Sequence, residues 1–266
     1  MAGEWRGKWA LITGASAGIG KALAEELAAG GTNLILTARR AERLTELAKA
    51  LEEKFKIKTE VVTADLAAAG AAEKIFAFTR EKNIFVELLV NNAGFGQYGE
   101  LHEVETQRLL DMVRVNCEAV VHLTRLYLPE MVERKRGDIL ILASTAAFQA
   151  VPYISTYAAT KAFDLLFAEG LAEEMKPHGI RVCALCPGST ESEFHDIAGQ
   201  SGLASMRKRE SAEKVAQTGL AALAAGKSSV ISGFQNFLGA QSQRFVPRRL
   251  VTRIAGKLFR PTHTKS

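Results

Sequence analysis

The strongest constraint on the fold is an alternation: short apolar runs of strand length are followed, again and again, by stretches with helical spacing. Strand candidates are Lys8–Thr13, Asn33–Thr37, Lys58–Thr63, Val86–Val90, Asp138–Ala143, Arg181–Leu185 and a short Ser229–Ile231. Helical spacing covers Gly18–Ala29, Ala41–Phe55, Ala71–Glu81, Thr106–Val132, Thr156–Lys176 and Ala212–Ala224. Strands that are apolar nearly throughout are buried on both faces, which calls for a parallel sheet with helices on each side. The expectation is an α/β, Rossmann-like, doubly wound parallel sheet of about seven strands, built as a single domain. Such sheets take ligands beyond the carboxyl ends of their strands, so the chemistry is sought there. No repeat or linker divides the chain; residues 1–243 are the expected domain and 244–266 a tail.

Charge placement narrows the partners. Seven of the 34 Lys/Arg lie from Arg244 onward, where there is no Asp or Glu. The remaining 27 face 29 acids, so the body is near neutral and no nucleic-acid-binding face is expected. The first residues lack the apolar stretch of a signal peptide, and no apolar run reaches the ~20 residues of a membrane span. Three cysteines are too few for a disulfide scaffold in a chain of 266, so a cytoplasmic setting is expected.

The first strand runs into Thr13-Gly14-Ala15-Ser16-Ala17-Gly18-Ile19-Gly20 and then directly into a helix. Glycines let the backbone turn tightly and come close to a pyrophosphate, while the helix start offers free N–H groups and partial positive charge. A Gly-rich turn is the ordinary alternative. A triphosphate P-loop fails, because five residues separate Gly14 from Gly20 and Lys21 is followed by Ala22 rather than a hydroxyl residue.

At the end of the second strand, where NAD-selective sites carry an acid for the ribose 2′-OH, this chain has Arg39-Arg40. A guanidinium suits a 2′-phosphate, and a cation at a helix start is otherwise on the wrong side of the helix dipole. Asp65-Leu66 follows the third strand; Asp65 suits an adenine contact or a helix N-cap near Ala67. Asn91-Asn92-Ala93-Gly94 follows the fourth, with small residues that admit a flat ligand.

Tyr157 and Lys161 are four residues apart in YAATK, which on a helix puts their Cβ atoms roughly 5–6 Å apart. A free tyrosine titrates at about 10, and a neighbouring cation draws it towards neutrality. Ser144 ends the fifth strand thirteen residues before Tyr157, with Thr145 as the alternative hydroxyl. Asn116 sits inside a helical stretch, where Asn is intrinsically unfavourable.

TGASAGIG, NNAG, and Asn116, Ser144, Tyr157 and Lys161 in that order resemble the short-chain dehydrogenase/reductase family, up to about Ile231. The resemblance implies an NADP(H) cofactor held by Gly14, Ser16, Ala17, Gly18, Ile19, Gly20, Arg39, Arg40, Asp65, Leu66, Asn92, Ala93 and Gly94. Tyr157, Lys161 and, after the sixth strand, Pro187, Gly188, Thr190 and Ser192 complete the set. It further implies that Ser144 and Tyr157 hold a carbonyl oxygen and Tyr157 supplies the proton. Lys161 lowers the Tyr157 pKa and binds ribose, and Asn116 holds a water that refills the proton. The expected activity is NADPH-dependent reduction of a ketone or aldehyde to an alcohol. The alternatives are oxidation of a hydroxysteroid or hydroxy acid, and a non-catalytic NADP sensor.

Phe95, Gln97, Tyr98, Phe148, Tyr153 and Phe194 are candidates to line a substrate pocket, and Ser189–Arg209 reads as a lid. No charged cluster points to a charged substrate. Cys183 and Cys186 fall on opposite faces of a strand and Cys117 reads as core, so no redox pair is expected. No metal-ligand spacing appears, His195 reads as a solvated loop residue, and Ser144 lacks the glycines of a hydrolase elbow. Phe163, Leu166 and Phe167 lie on a helix through which relatives pair, so a homodimer or homotetramer is expected. In the tail, Leu250, Val251, Ile254 and Leu258 share a helical face largely apart from Arg248, Arg249, Arg253 and Lys257. Packing over the chain's own cleft or on a neighbouring subunit is favoured over a peripheral membrane helix.

Overall fold

A computed structural model describes residues 3–191, 193, 198–199 and 209–261. The strands are β1 (Trp9–Thr13), β2 (Asn33–Ala38), β3 (Thr59–Thr63), β4 (Val86–Asn91), β5 (Gly137–Leu142), β6 (Ile180–Cys186) and β7 (Ser229–Ile231). They form one sheet in the order β3-β2-β1-β4-β5-β6-β7, every pairing parallel. The helices are α1 (Gly18–Ala29), α2 (Ala41–Phe55), α3 (Ala71–Glu81), α4 (Thr106–Val113), α5 (Ala119–Arg134), α6 (Ser155–Met175), α7 (Ala212–Ala224), α8 (Phe234–Ser242) and α9 (Arg248–Leu258).

Successive strand residues feed two separate cores. Ile12, Leu34, Leu36 and Leu140 pack on one face of the sheet, and Leu11, Ile35, Ile139 and Ile141 on the other. Both layers are buried and apolar, so the unbroken apolar runs needed no polar side. Cys183 and Cys186 obey the same alternation, one in each core, and burial pushes both thiols up to about 12. Cys117 is half-buried rather than core, with its thiol pushed up to about 11 by burial.

Strand order reverses at β1, which pairs with β2 on one side and β4 on the other. The crevice of a doubly wound sheet opens at this reversal. Here the Gly-rich loop after β1 meets the turn after β4. Asn92 donates its side-chain N–H to the Thr13 carbonyl at 2.7 Å, and the Asn92 and Ala93 backbone N–H groups both reach Thr13 Oγ1 at 2.9 Å.

Two elements differ from the sequence expectation. The helix expected over 106–132 is broken by a π-helical turn, Arg114–Glu118, between α4 and α5. Its wider spacing goes with an Asn116 that is fully buried and bonded to a neighbouring loop rather than left in a regular helix. Asp65 does not cap α3, which starts at Ala71 behind Gly70 in a left-handed conformation; Asp65 instead closes a turn by accepting from Ala67 N–H at 3.1 Å.

Candidate active site

The cleft at the crevice has a volume of about 630 Å³ and runs along the carboxyl ends of the strands. One end is formed by the Gly14–Gly20 loop with Arg39, Arg40, Asp65 and Leu66; Asn92, Ala93 and Gly94 line its middle. Ser144, Tyr157, Lys161, Pro187, Gly188 and Thr190 line it beyond the turn after β4. The segments named from sequence therefore converge. Ser192, Phe194 and His195, with most of the expected 189–209 lid, lie outside the described residues.

The loop is shaped for close approach. Gly14 has φ +67, and a Cβ there would sit 2.8 Å from the Asn92 amide nitrogen and 2.9 Å from Ala93 Cα. A Cβ on Gly20 would overlap the same Asn92 amide and the Gly14 carbonyl. No side chain caps the start of α1 and no acid lies in its first turn, so its amides and dipole face the cleft uncompensated. These features fit a bound pyrophosphate. Asn92 is a brace as much as a ligand, since its amide is spent on Thr13 and Gly14. Thr13, absent from the sequence-derived site, pins both branches of the crevice.

The two arginines divide. Arg40 reaches Ser16 Oγ at 3.1 and 3.3 Å and pairs with Glu193 at 2.8 Å, while Arg43 holds the other Glu193 oxygen at 2.7 Å. Both arginines hold the Glu193 carboxyl below its usual range. Arg39 is exposed, lines the cleft and makes no hydrogen bond or ion pair among the described residues. It is the guanidinium left available for an anionic ligand.

At the other end, Ser144 follows β5 and Tyr157 and Lys161 share the inner face of α6. Ser144 is hydrogen-bonded to the Tyr157 phenol, and the Lys161 ammonium is 6.0 Å from the Tyr157 ring centre. Burial pushes the phenol up; the Lys161 charge and the Ser144 hydrogen bond offset part of this, and Asp164 adds to the rise. Lys161 alone would lower it, as expected from sequence, but desolvation outweighs the ammonium and the net direction is upward. Lys161 Nζ donates to the Leu142 carbonyl at 2.6 Å and to Asp164 at 2.9 Å. Burial disfavours its charge, but Asp164 and Tyr157 hold the ammonium above its ordinary range.

Asn116 does not line the cleft; it stands behind the wall. Its Nδ2 donates to the Phe95 carbonyl at 3.1 Å and to Thr160 Oγ1 at 3.0 Å, and Phe95 N–H donates to its Oδ1 at 3.1 Å. A Cβ on Gly94 would be 3.2 Å from Asn116 Oδ1 and 3.4 Å from Lys161 Nζ, so the three positions meet.

Of the aromatic candidates among the described residues, only Phe95 lines the cleft, with the Arg108 guanidinium 4.3 Å from its ring centre. Phe148 turns into the core beside β5 and β6 instead, because the 3-10 turn Thr145–Phe148 folds it under the sheet end. Tyr153, in a left-handed conformation at φ +69, faces a second, smaller hollow with Gln97, Glu100 and Leu101. Tyr98 lies behind the wall, packed on the cluster of Val151, Ile154 and Ala158. The apolar lining comes instead from Val115, Ile154, Leu258 and Phe259. The last two belong to the tail: α9 buries Ala255, and the Tyr98 hydroxyl donates to the Phe259 carbonyl at 2.8 Å. The tail thus packs along its own cleft.

A parallel sheet reversing at β1, a pyrophosphate-shaped loop and a Ser–Tyr–Lys cluster together define a nucleotide-binding oxidoreductase fold. Residues 8–200 match the short chain dehydrogenase family, and the chain belongs to it. It is similar to the very-long-chain 3-oxoacyl-CoA reductase-B of Danio rerio, 40% identical over 185 residues, covering 68% of this chain and 59% of that one. It is also similar to the inactive hydroxysteroid dehydrogenase-like protein 1 of Homo sapiens, 36% identical over 185 residues, covering 68% of this chain and 55% of that one. The chain thus spans less than two thirds of these relatives' length. A short-chain dehydrogenase from Sphingobium yanoikuyae, solved in complex with NADPH, superposes with a TM-score of 0.82 at 27% identity, covering 97% of this chain and 98% of that one.

Proposed function

We propose that this chain is an NADPH-dependent reductase of a ketone carbonyl, with 3-oxoacyl thioesters as the favoured substrate class. The observation that carries the reading is the hydrogen-bonded Ser144–Tyr157 pair beside the buried Lys161, at one end of a cleft whose other end presents the uncommitted Arg39. Arg39 supports NADP over NAD, because a guanidinium gains a charge-assisted, forked hydrogen bond only from a 2′-phosphate. The cofactor supplies the hydride. Ser144 and Tyr157 orient the carbonyl oxygen, and Tyr157 gives its proton as negative charge develops there. Lys161, held charged by Asp164, stabilises the phenolate left behind and contacts the ribose. Asn116 keeps Phe95 and Gly94 in place beside Lys161. A phenol whose pKa is raised is protonated near neutrality, which is the form needed for reduction. The same residues run the reverse, alcohol-oxidising reaction at higher pH.

The thioester reading draws on the named relative and on the apolar lining of Phe95, Val115, Ile154, Leu258 and Phe259, suited to an acyl chain. The test is loss of NADPH absorbance against a panel of ketones, aldehydes and 3-oxoacyl thioesters, with NADH in parallel. Consumption of NADPH with preference for longer acyl chains is the expected result. NADPH binding without turnover on any carbonyl would instead favour a sensing role. The exposed Phe163 and Leu166 on α6 support a homodimer or homotetramer, to be read by sedimentation.

A further inference from the structure

We propose that α8 and α9 form a docking face for an anionic lipid surface, seating the mouth of the cleft against the bilayer. From Phe234 to the last residue the chain carries seven Lys/Arg and no Asp or Glu. The same stretch holds a dense set of exposed apolar side chains. Phe234 is 75% exposed and Leu238 51% on α8, Phe245 is 88% exposed in the connection, and Leu250, Ile254 and Leu258 are 46%, 49% and 58% exposed on α9. On α9 the three leucine and isoleucine side chains are spaced to run together along one side, and a continuous exposed apolar strip marks an interaction site where single exposed side chains do not.

The pattern on α9 specifies the partner. Leu250, Ile254 and Leu258 recur every fourth residue and make one stripe; Arg249, Arg253 and Lys257, each one position earlier, make a parallel basic stripe beside it. A helix lying in a lipid interface has this arrangement, with apolar side chains entering the acyl boundary and long cations snorkelling to headgroup phosphates. The inner side of α9 is already committed. Ala255 is buried, a Cβ on Gly256 would sit 3.3 Å from Pro152, and the Phe259 carbonyl accepts from Tyr98. The helix is therefore held in place with its amphipathic side outward. A second copy of the chain suits this face poorly, since a two-fold contact would bring the basic stripe of Arg249, Arg253 and Lys257 against its own copy.

Leu258 belongs to the exposed stripe and also lines the cleft, and Phe259 follows it into the lining. Docking would place this edge of the cleft at the lipid boundary, where a carbonyl compound with a long apolar chain partitions. This last step rests on the proposed reductase activity; the docking itself does not.

The experiment is co-sedimentation of the full chain with vesicles of phosphatidylcholine alone or mixed equally with phosphatidylglycerol. Binding to the mixed vesicles only, weakened by salt, is expected. Arg249→Glu/Arg253→Glu/Lys257→Glu and, separately, Leu250→Ser/Ile254→Ser should each lower it at least about tenfold, while NADPH binding reports an intact fold. No binding to mixed vesicles, equal binding to neutral ones, or wild-type binding by the charge-reversed variant would overturn the proposal. So would a concentration-dependent dimer that Leu250→Ser/Ile254→Ser dissolves, which would give the face to a second copy. Reduction of a short, water-soluble ketone should be the same in wild type and charge-reversed chain. Vesicle binding with no carbonyl turnover would overturn the activity and leave the docking standing.

Discussion

The Lys161 ammonium is 2.9 Å from the Asp164 carboxylate, one turn further along α6, and both side chains are buried. The second Asp164 oxygen, Oδ1, has no hydrogen-bond partner among the described residues. A buried charge pair of this kind is costly to form and costly to break, and it places a negative charge behind the proposed acid–base group. Burial pushes the Asp164 carboxyl up, and Lys161 pulls it part of the way back.

Asp164→Asn should therefore shift the pH profile. The titratable groups around the site are Tyr157, Lys161 and Asp164 on α6, with the Cys117 thiol on the π turn and Cys186 at the end of β6. Asp164 raises the Tyr157 pKa directly, so with Lys161 still protonated its loss favours phenolate at lower pH. Alcohol oxidation, which needs phenolate, should begin at lower pH. Reduction, which needs phenol, should fail at lower pH than in wild type. Profiles of kcat/KM in both directions test this, and unmoved limbs would show that the Asp164 charge is not felt at the phenol.

Tyr157→Phe keeps the ring and removes the proton. Turnover should fall at least about 100-fold with NADPH affinity little changed. Near-normal turnover in stopped-flow NADPH oxidation would remove Tyr157 from the chemistry.

Arg39→Asp replaces the uncommitted guanidinium with the acid of NAD-selective sites. A charged hydrogen bond is worth about 1.5–3 kcal/mol, so NADPH should bind roughly ten- to hundredfold more weakly, with NADH unchanged or better. Fluorescence titration with both nucleotides reads the ratio. Equal losses would mean that Arg39 acts on the fold and not on the 2′-phosphate.

Gly20→Ala drives a methyl into the Asn92 amide and the Gly14 carbonyl, neither of which can give way without opening the crevice. Nucleotide binding should be lost and Tm lowered. Gly170→Ala, where a Cβ meets nothing within 4 Å, serves as the control and should leave both unchanged or raise Tm.

Far from the cleft, buried Asp138 accepts from Trp5 at 2.7 Å and from Arg181 at 2.6 and 2.8 Å, tying the starts of β5 and β6 to the N-terminal turn. Removing the carboxylate leaves the Trp5 indole N–H without its partner, while the partly exposed Arg181 keeps Glu4 at 3.0 Å and the Ala224 carbonyl at 3.1 Å. Asp138→Ala should cost about 1–3 kcal/mol in denaturant unfolding without altering nucleotide specificity.

Local pattern was enough for the sheet and for the shape of the loop after β1. Apolar runs without alternation required burial on both faces, and glycine spacing in TGASAGIG reports a backbone demand that no other residue type meets. Arg39 and the Tyr157–Lys161 spacing were legible for the same reason: a strand end or a helical turn fixes where neighbours four residues apart must lie.

What lay beyond the sequence depended on contacts between distant segments. The buried Asp164 is three residues from Lys161 and visible as a spacing, but its burial, and so its influence on Tyr157, follows from how α6 seats on the sheet. The π turn at Asn116 exists against a loop twenty-one residues away, and Phe148 and Tyr153 left the cleft because turn geometry, not residue type, aims an aromatic ring. The tail helix is periodic in sequence, but only its docking on Tyr98 and Pro152 decided which side became cleft wall and which remained outside. Periodicity and backbone demands are local and can be read along the chain. The fate of each face is a competition among all the surfaces that could cover it, and that is settled only when the chain has folded.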